Sequence, residues 1–175
     1  MKKPELLVTP HSVEHLEQLI KAGADAFVIG EQKFGLRLPG EFSVADIEKS
    51  VEIAHAAGKK VYVSVNALFH NDRLDDLYEY MQELERIAPD AILFGDPAVV
   101  MAVRELNITV PLHWSPETIA TNWFQVNYWG ERGSKRAVLA RELSVDEVIE
   151  IKENTTHEIE VQVHGMTCMF QSKRS

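Results

Sequence analysis

The sequence predicts an α/β protein of the (β/α) TIM-barrel kind, incomplete, with about seven parallel strands and a C-terminal truncation. Three observations predict it. Short apolar runs alternate with stretches whose apolar residues recur at helical spacing, and little else lies between them. Seven strands joined by six helical connections require a crossover back to the same end each time, which is the parallel arrangement. Strand interiors are apolar while strand exits carry hydrogen-bonding or titratable groups, the segregation expected of a fold with its site at the strand ends. An open, doubly wound sheet would fit the same pattern. The incomplete barrel is the favoured reading: such barrels close with eight strands in about 250 residues, and these 175 residues supply seven. Two sheet edges would then be exposed, which proteins usually avoid, so the chain is expected to be a fragment or to pair with another copy. One domain, residues 1–175, is expected, as the N-terminal part of a longer architecture.

The elements follow in order. Leu6 to Thr9 is a short apolar strand. Ser12 offers an N-cap, and Val13, Leu16 and Ile20 form a helical stripe that Gly23 ends. Ala26 to Ile29 is a continuous apolar run, the mark of a strand buried on both faces, and a longer loop runs from Gly30 to Phe42. Ser43 with Asp46 has capping-box spacing before the stripe Ile47, Val51 and Ala54. Val61 to Val65 is the third strand, ending at Asn66. Asp72 opens a helix with Leu74, Leu77, Met81 and Leu84 inward. Ala91 to Phe94 is the fourth strand, followed by Asp96 and by Pro97 in a first helical turn.

Ile108 to Trp114 is strand-like, although Pro111 argues for a bulge or an edge. Glu117 to Gly130 is expected to be helical and is rich in aromatics. Ala137 to Ala140 is the sixth strand, and Ser144 caps a helix carrying Val148 and Ile151. In the seventh strand Ile159, Val161 and Val163 alternate with Glu158, Glu160 and Gln162 before Gly165.

Composition narrows the functional classes. Hydrophobic residues at 45% and charged residues at 26% are those of an ordinary globular protein. The three-residue apolar run after Lys2 and Lys3 is too short for a signal peptide or a spanning helix. One cysteine excludes an internal disulfide, so a cytoplasmic location with no membrane partner is expected. A net charge of −9 argues against broad, non-specific nucleic-acid binding, although it leaves room for a local basic site.

The strand exits supply the candidate site. They carry Thr9 and His11, then Glu31 with Arg37 in the loop beyond it, Asn66 and His70, and Asp96. Further on come His113 and Ser115, Asn122, Arg141 and Glu142, and His164, with Cys168 just past it. Several have a structural alternative: Asp96 as an N-cap, Arg141 with Glu142 as a loop salt bridge, His113 as a hydrogen-bonded core histidine. Cys168 and His164 are a conceivable nucleophile and base. No GxSxG elbow, HExxH or Gly-rich phosphate fingerprint is present, and one cysteine with scattered histidines has no metal-ligand spacing.

Ordered motifs run through the whole chain: Pro4-Glu5-Leu6-Leu7, Gly23-Ala24-Asp25-Ala26, Phe34-Gly35-Leu36-Arg37 and Asn66. They continue with Gly95-Asp96-Pro97, Thr121-Asn122, Leu139-Ala140-Arg141-Glu142-Leu143, and Glu158 to Val161 through His164-Gly165 to Cys168. In these the chain resembles the U-thirty-two peptidase family, the collagenase-like proteases. The resemblance implies a barrel-like N-terminal domain with its site at the strand exits, in a chain that normally continues further. It is similar in particular to the branch of oxygen-independent hydroxylation factors acting on a transfer-RNA wobble uridine, on ribosomal RNA or on the ubiquinone ring, several of which work as paired related subunits.

Members of these branches hold a four-iron–four-sulfur cluster on four cysteines. Here the second signature position is Ser175, a poor substitute for a thiolate, so no cofactor is expected in this chain and Cys168 is expected as a free thiol. Three readings remain open: a subunit of a tRNA (wobble uridine) hydroxylation system, with tRNA as substrate; a peptidase with unassigned catalytic residues; and a non-catalytic partner of a cluster-bearing paralogue. The first is the leading expectation.

Overall fold

The computed structural model describes residues 3–117 and 119–165. The chain divides into two compact units, one up to Pro111 and one from Leu112 onward.

The first unit runs β1 (Leu7–Val8), α1 (Val13–Lys21), β2 (Ala26–Ile29), α2 (Val44–Ala56), β3 (Lys60–Val65), α3 (Leu74–Ile87), β4 (Ala91–Phe94) and α4 (Pro97–Leu106). A single helical turn, Asn71–Arg73, precedes α3. The four strands pair in sequence order, all parallel, with Leu7 opposite Ala26, Ala26 opposite Lys60 and Tyr62 opposite Ala91. Alternation along the strands sends Ala26, Val28, Tyr62, Ala91 and Leu93 to one face, where Leu7 and Leu38 join them. Phe27, Ile29, Val61, Val63, Ile92 and Phe94 take the other face and are equally buried. Strands buried on both faces explain why β2 and β4 read as unbroken apolar runs. The helices begin where local chemistry starts them. The Ser12 hydroxyl accepts the His15 amide at 3.1 Å, Ser43 and Asp46 close a full capping box, and Pro97 sits in the first turn of α4.

The second unit runs β5 (Leu112–Trp114), α5 (Trp123–Gly130), β6 (Ser134–Val138), α6 (Val145–Glu153) and β7 (Glu158–Glu160). Its three strands are also parallel, and the register slips between Leu112 and His113, next to Pro111. Four expectations need correction here. Ile108 to Pro111 is not strand: Asn107 ends α4 in the left-handed conformation, and Glu85 takes the Thr109 and Val110 amides. The helix starts at Trp123, not Glu117, because Glu117 is itself left-handed (φ 68°) and the Asn122 side chain caps Gln125. The sixth strand starts three residues before the apolar run Ala137–Ala140 and ends at Val138, since Arg136 pairs with Glu158. The seventh spans three residues only, leaving Val161 and Val163 44% and 87% exposed.

Seven strands, each parallel to its paired neighbour, alternate with six α-helices among the described residues. The architecture is therefore α/β of the incomplete (β/α)-barrel type, as expected. No described helix is long and apolar enough to cross a membrane.

Candidate functional site

In the first unit the exits of three neighbouring strands are laced together by side chain-to-backbone bonds. Asn66, just past β3 and buried, accepts the Leu36 amide and the Ser64 hydroxyl on one oxygen, both at 2.8 Å. The Ala67 amide then reaches the Phe34 carbonyl at 3.0 Å. These bonds hold the Gly30–Phe42 loop against the end of β3. The loop comes so close that a side chain on Gly35 would meet the Ser64 carbonyl at 2.8 Å. Phe34 stacks on Tyr80 of α3, ring centroids 4.1 Å apart, and burial pushes the Tyr80 hydroxyl well above the usual phenol range. Lys33 bonds Asp76 at 2.8 Å, holding that carboxyl below its usual range.

Asp96 closes the next link. One oxygen caps α4 at the Ala98 amide (2.9 Å) and the other accepts the Phe69 amide (3.0 Å), so its carboxylate ties the loop after β3 to the end of β4. Glu31 sits half-buried at the end of β2, its carbonyl accepting the Phe34 and Gly35 amides. Arg37 is exposed on a left-handed backbone (φ 57°). Thr9 and His70 are exposed, and His11 stacks on His15 with ring centroids 4.2 Å apart. Of the residues expected here, the structure brings Glu31, Arg37, Asn66 and Asp96 to adjacent strand ends, and it gives Asn66 and Asp96 architectural work.

The second unit repeats the stitching with different chemistry. The Ala140 amide donates to the Ala120 carbonyl and the Leu139 amide to the Glu160 carbonyl, both at 2.9 Å. The β5–α5 loop, the end of β6 and the end of β7 are thereby joined. Arg141 bonds Glu117 at 3.6 Å, with both side chains about four-fifths buried. The expected Arg141–Glu142 bridge does not form; Glu142 points to solvent. Glu117 is the functional candidate that sequence reasoning passed over. Within β6, Arg136 bonds Glu158 at 2.8 Å and Glu160 at 3.5 Å.

His113 and Ser115 are buried at the end of β5, Asn122 is an N-cap, and His164 is exposed beyond the short β7. Cys168 and Ser175 lie outside the described residues. Among the described residues no group of three or more His, Cys, Asp or Glu is placed to hold a metal ion.

A parallel strand–helix repeat whose polar residues gather at the strand ends defines a site-bearing (β/α)-barrel-type protein. The profile of Peptidase family U32 matches residues 11–175, and the chain belongs to that family. It is 61% identical over all its 175 residues to tRNA hydroxylation protein P2 of Bacillus subtilis, covering 57% of that protein. It is 37% identical over 99% of its length to tRNA hydroxylation protein P of Escherichia coli, covering 39% of it. The chain thus spans little more than half the length of the one relative and less than half of the other. Among solved structures, a U32 peptidase superposes with a TM-score of 0.75 at 18% identity, covering 95% of this chain and 73% of that one, a likeness of fold.

Proposed function

We propose that this chain is part of a tRNA hydroxylation protein, working as a subunit of an oxygen-independent system that hydroxylates the wobble uridine. The observation that carries the reading is the 61% identity to tRNA hydroxylation protein P2, sustained over the whole chain. The laced strand exits support it: within each unit, hydrogen bonds fix the loops at the strand ends, where (β/α) folds bind their substrates. Nothing in the described site pairs a nucleophile with a base in the way that peptide hydrolysis needs, so proteolysis stays the secondary reading that the family name suggests.

A four-iron–four-sulfur cluster is not proposed on the donors of residues 1–175 alone. Such clusters are held by four thiolates, whereas Cys168 is the one cysteine of these 175 residues and Ser175 stands at the second signature position. A related subunit is the proposed partner in that chemistry.

The test is mass spectrometry of nucleosides from bulk tRNA of a strain lacking the gene. Loss of the hydroxylated wobble uridine, restored by the full-length protein, is expected. An unchanged nucleoside profile in the deletion strain sinks the proposal, and gelatin cleavage by the pure full-length protein would favour the secondary reading.

A further inference from the structure

Two leucines at the strand exits of the first unit are held out to solvent by backbone that is fixed on both sides. Leu36 is 43% exposed and Leu68 64% exposed. Leu36 and Arg37 lie between Gly35, packed against the Ser64 carbonyl, and Leu38, which packs on the strand face of Val28, Tyr62 and Leu93. The Leu36 amide is bonded to Asn66, and Arg37 is exposed on a left-handed backbone that a non-glycine residue rarely takes. Leu68 lies between Ala67, whose amide reaches the Phe34 carbonyl, and Phe69, whose amide reaches Asp96. A single exposed leucine is ordinary. Two of them on adjoining, pinned loops, at the strand ends where (β/α) folds bind their substrates, mark a contact surface. Charge indicates what it contacts. Residues 32–40 and 66–71 carry Lys33, Arg37 and His70 and no aspartate or glutamate, in a chain of net charge −9. Glu31 and Glu41 flank the first stretch and Asp72 the second, Lys33 is engaged by Asp76, and Arg37 is the cation next to Leu36.

We infer that Leu36, Arg37 and Leu68 form the surface that receives the unstacked RNA segment around the target uridine, the leucines packing on base faces and the Arg37 guanidinium bonding a phosphate oxygen. The inference rests on the tRNA reading above and names the surface that would hold the substrate. Chemistry on a base requires that base out of its stack, and apolar side chains then replace the neighbouring bases as its packing partners. Because both loops are pinned, the surface is preformed and little ordering is lost on binding. Arginine bonds a phosphate in the fork geometry of its guanidinium, and the neutralised charge makes the contact salt-dependent.

The experiment measures binding of the full-length protein to tRNA taken from a strain lacking the gene, at several salt concentrations, together with thermal unfolding. The proteins compared are wild type, Leu36→Ser, Leu68→Ser, Arg37→Gln and Met101→Ser. Met101 is 50% exposed on α4, outside these loops, and its variant is expected to bind like wild type. Each leucine variant is expected to weaken binding about tenfold, the loss of one apolar contact, with the salt slope unchanged and unfolding near that of wild type. Arg37→Gln is expected to reduce the salt slope by about one, and an unchanged slope overturns the phosphate contact. The inference is overturned if both leucine variants bind like wild type. It is equally overturned if they lower the unfolding temperature by several degrees, because another part of the full-length protein then covers the leucines. Wild-type protein that fails to bind tRNA overturns the tRNA reading itself, a result distinct from wild-type binding that the variants leave unaltered.

Discussion

The Asn66 side-chain oxygen accepts the Leu36 amide at 2.8 Å, across thirty positions of sequence, and takes the Ser64 hydroxyl at the same distance. One buried amide therefore fixes the loop after β2 to the end of β3. Removing it leaves a part-buried backbone N–H and a buried hydroxyl short of an acceptor. Asn66→Ala is expected to destabilise the full-length protein by about 1–3 kcal/mol in denaturant unfolding. Asn66→Asp, which keeps the accepting oxygen, should cost less, and equal losses for the two variants would contradict the assignment.

Asp96 stands at a strand exit, where a catalytic acid could sit, yet both its oxygens accept backbone amides, from Ala98 and Phe69. Asp96→Asn retains one accepting oxygen for the cap, whereas Asp96→Ala retains neither. The alanine variant is expected to lose about 0.5–2 kcal/mol, and the asparagine variant less. On the tRNA reading proposed above, cellular levels of hydroxylated wobble uridine should follow stability in both. Loss of the nucleoside in a fully stable Asp96→Asn protein would assign the carboxylate to the chemistry instead.

What could be read in advance was whatever is local. Ser12, Ser43, Asp96 and Ser144 cap helices through contacts two or three residues away, so spacing reveals them. The buried strands β2 and β4 announce themselves as unbroken apolar runs. Glu117 was hidden because its partner, Arg141, lies far along the chain and its left-handed backbone breaks what looks like a helix. The start of β6 was hidden for a similar reason: Arg136 is a poor strand signal until the acids of β7 are seen beside it.

Gly40 packs against the backbone of His11, and a Cβ there would collide with the His11 carbonyl oxygen. The obstacle is main chain and cannot rotate away. Gly40→Ala is expected to cost roughly 1–3 kcal/mol, whereas Gly58→Ala, with open space but a left-handed backbone (φ 68°), should cost about 1–2 kcal/mol through strain alone. Structural disturbance distinguishes them: shifts in amide spectra should reach the His11 loop only in the Gly40 variant.

Arg136 holds Glu158 and Glu160 of β7 from a position 9% exposed. Truncating it leaves two carboxylates together without their cation, while truncating Glu158, whose side chain is 63% exposed, removes a screened partner. Arg136→Ala is therefore expected to destabilise by about 2–4 kcal/mol, below the range for a fully buried pair at its upper end, and Glu158→Ala by less than about 1 kcal/mol. Hydrogen exchange should show the β7 amides opening first in Arg136→Ala.

Glu85 sets a pH dependence whose sign can be worked out. Burial raises its carboxyl, but the Thr109 hydroxyl at 2.6 Å, the Thr109 amide at 2.8 Å and the Val110 amide at 3.2 Å outweigh it, so the group sits below the ordinary glutamate value of 4.5. A carboxyl depressed in the folded state binds fewer protons there than in the unfolded chain. Its contribution is thus fully present above the unfolded value and is lost as pH falls through the depressed one. Glu85→Gln removes that carboxylate, so the variant should lose stability against wild type at neutral pH. The gap should narrow as pH drops below 4.5. Urea unfolding of both proteins from neutral pH to pH 3 measures it. A gap constant over that range would show that the three donors bind Glu85 equally well in its protonated form.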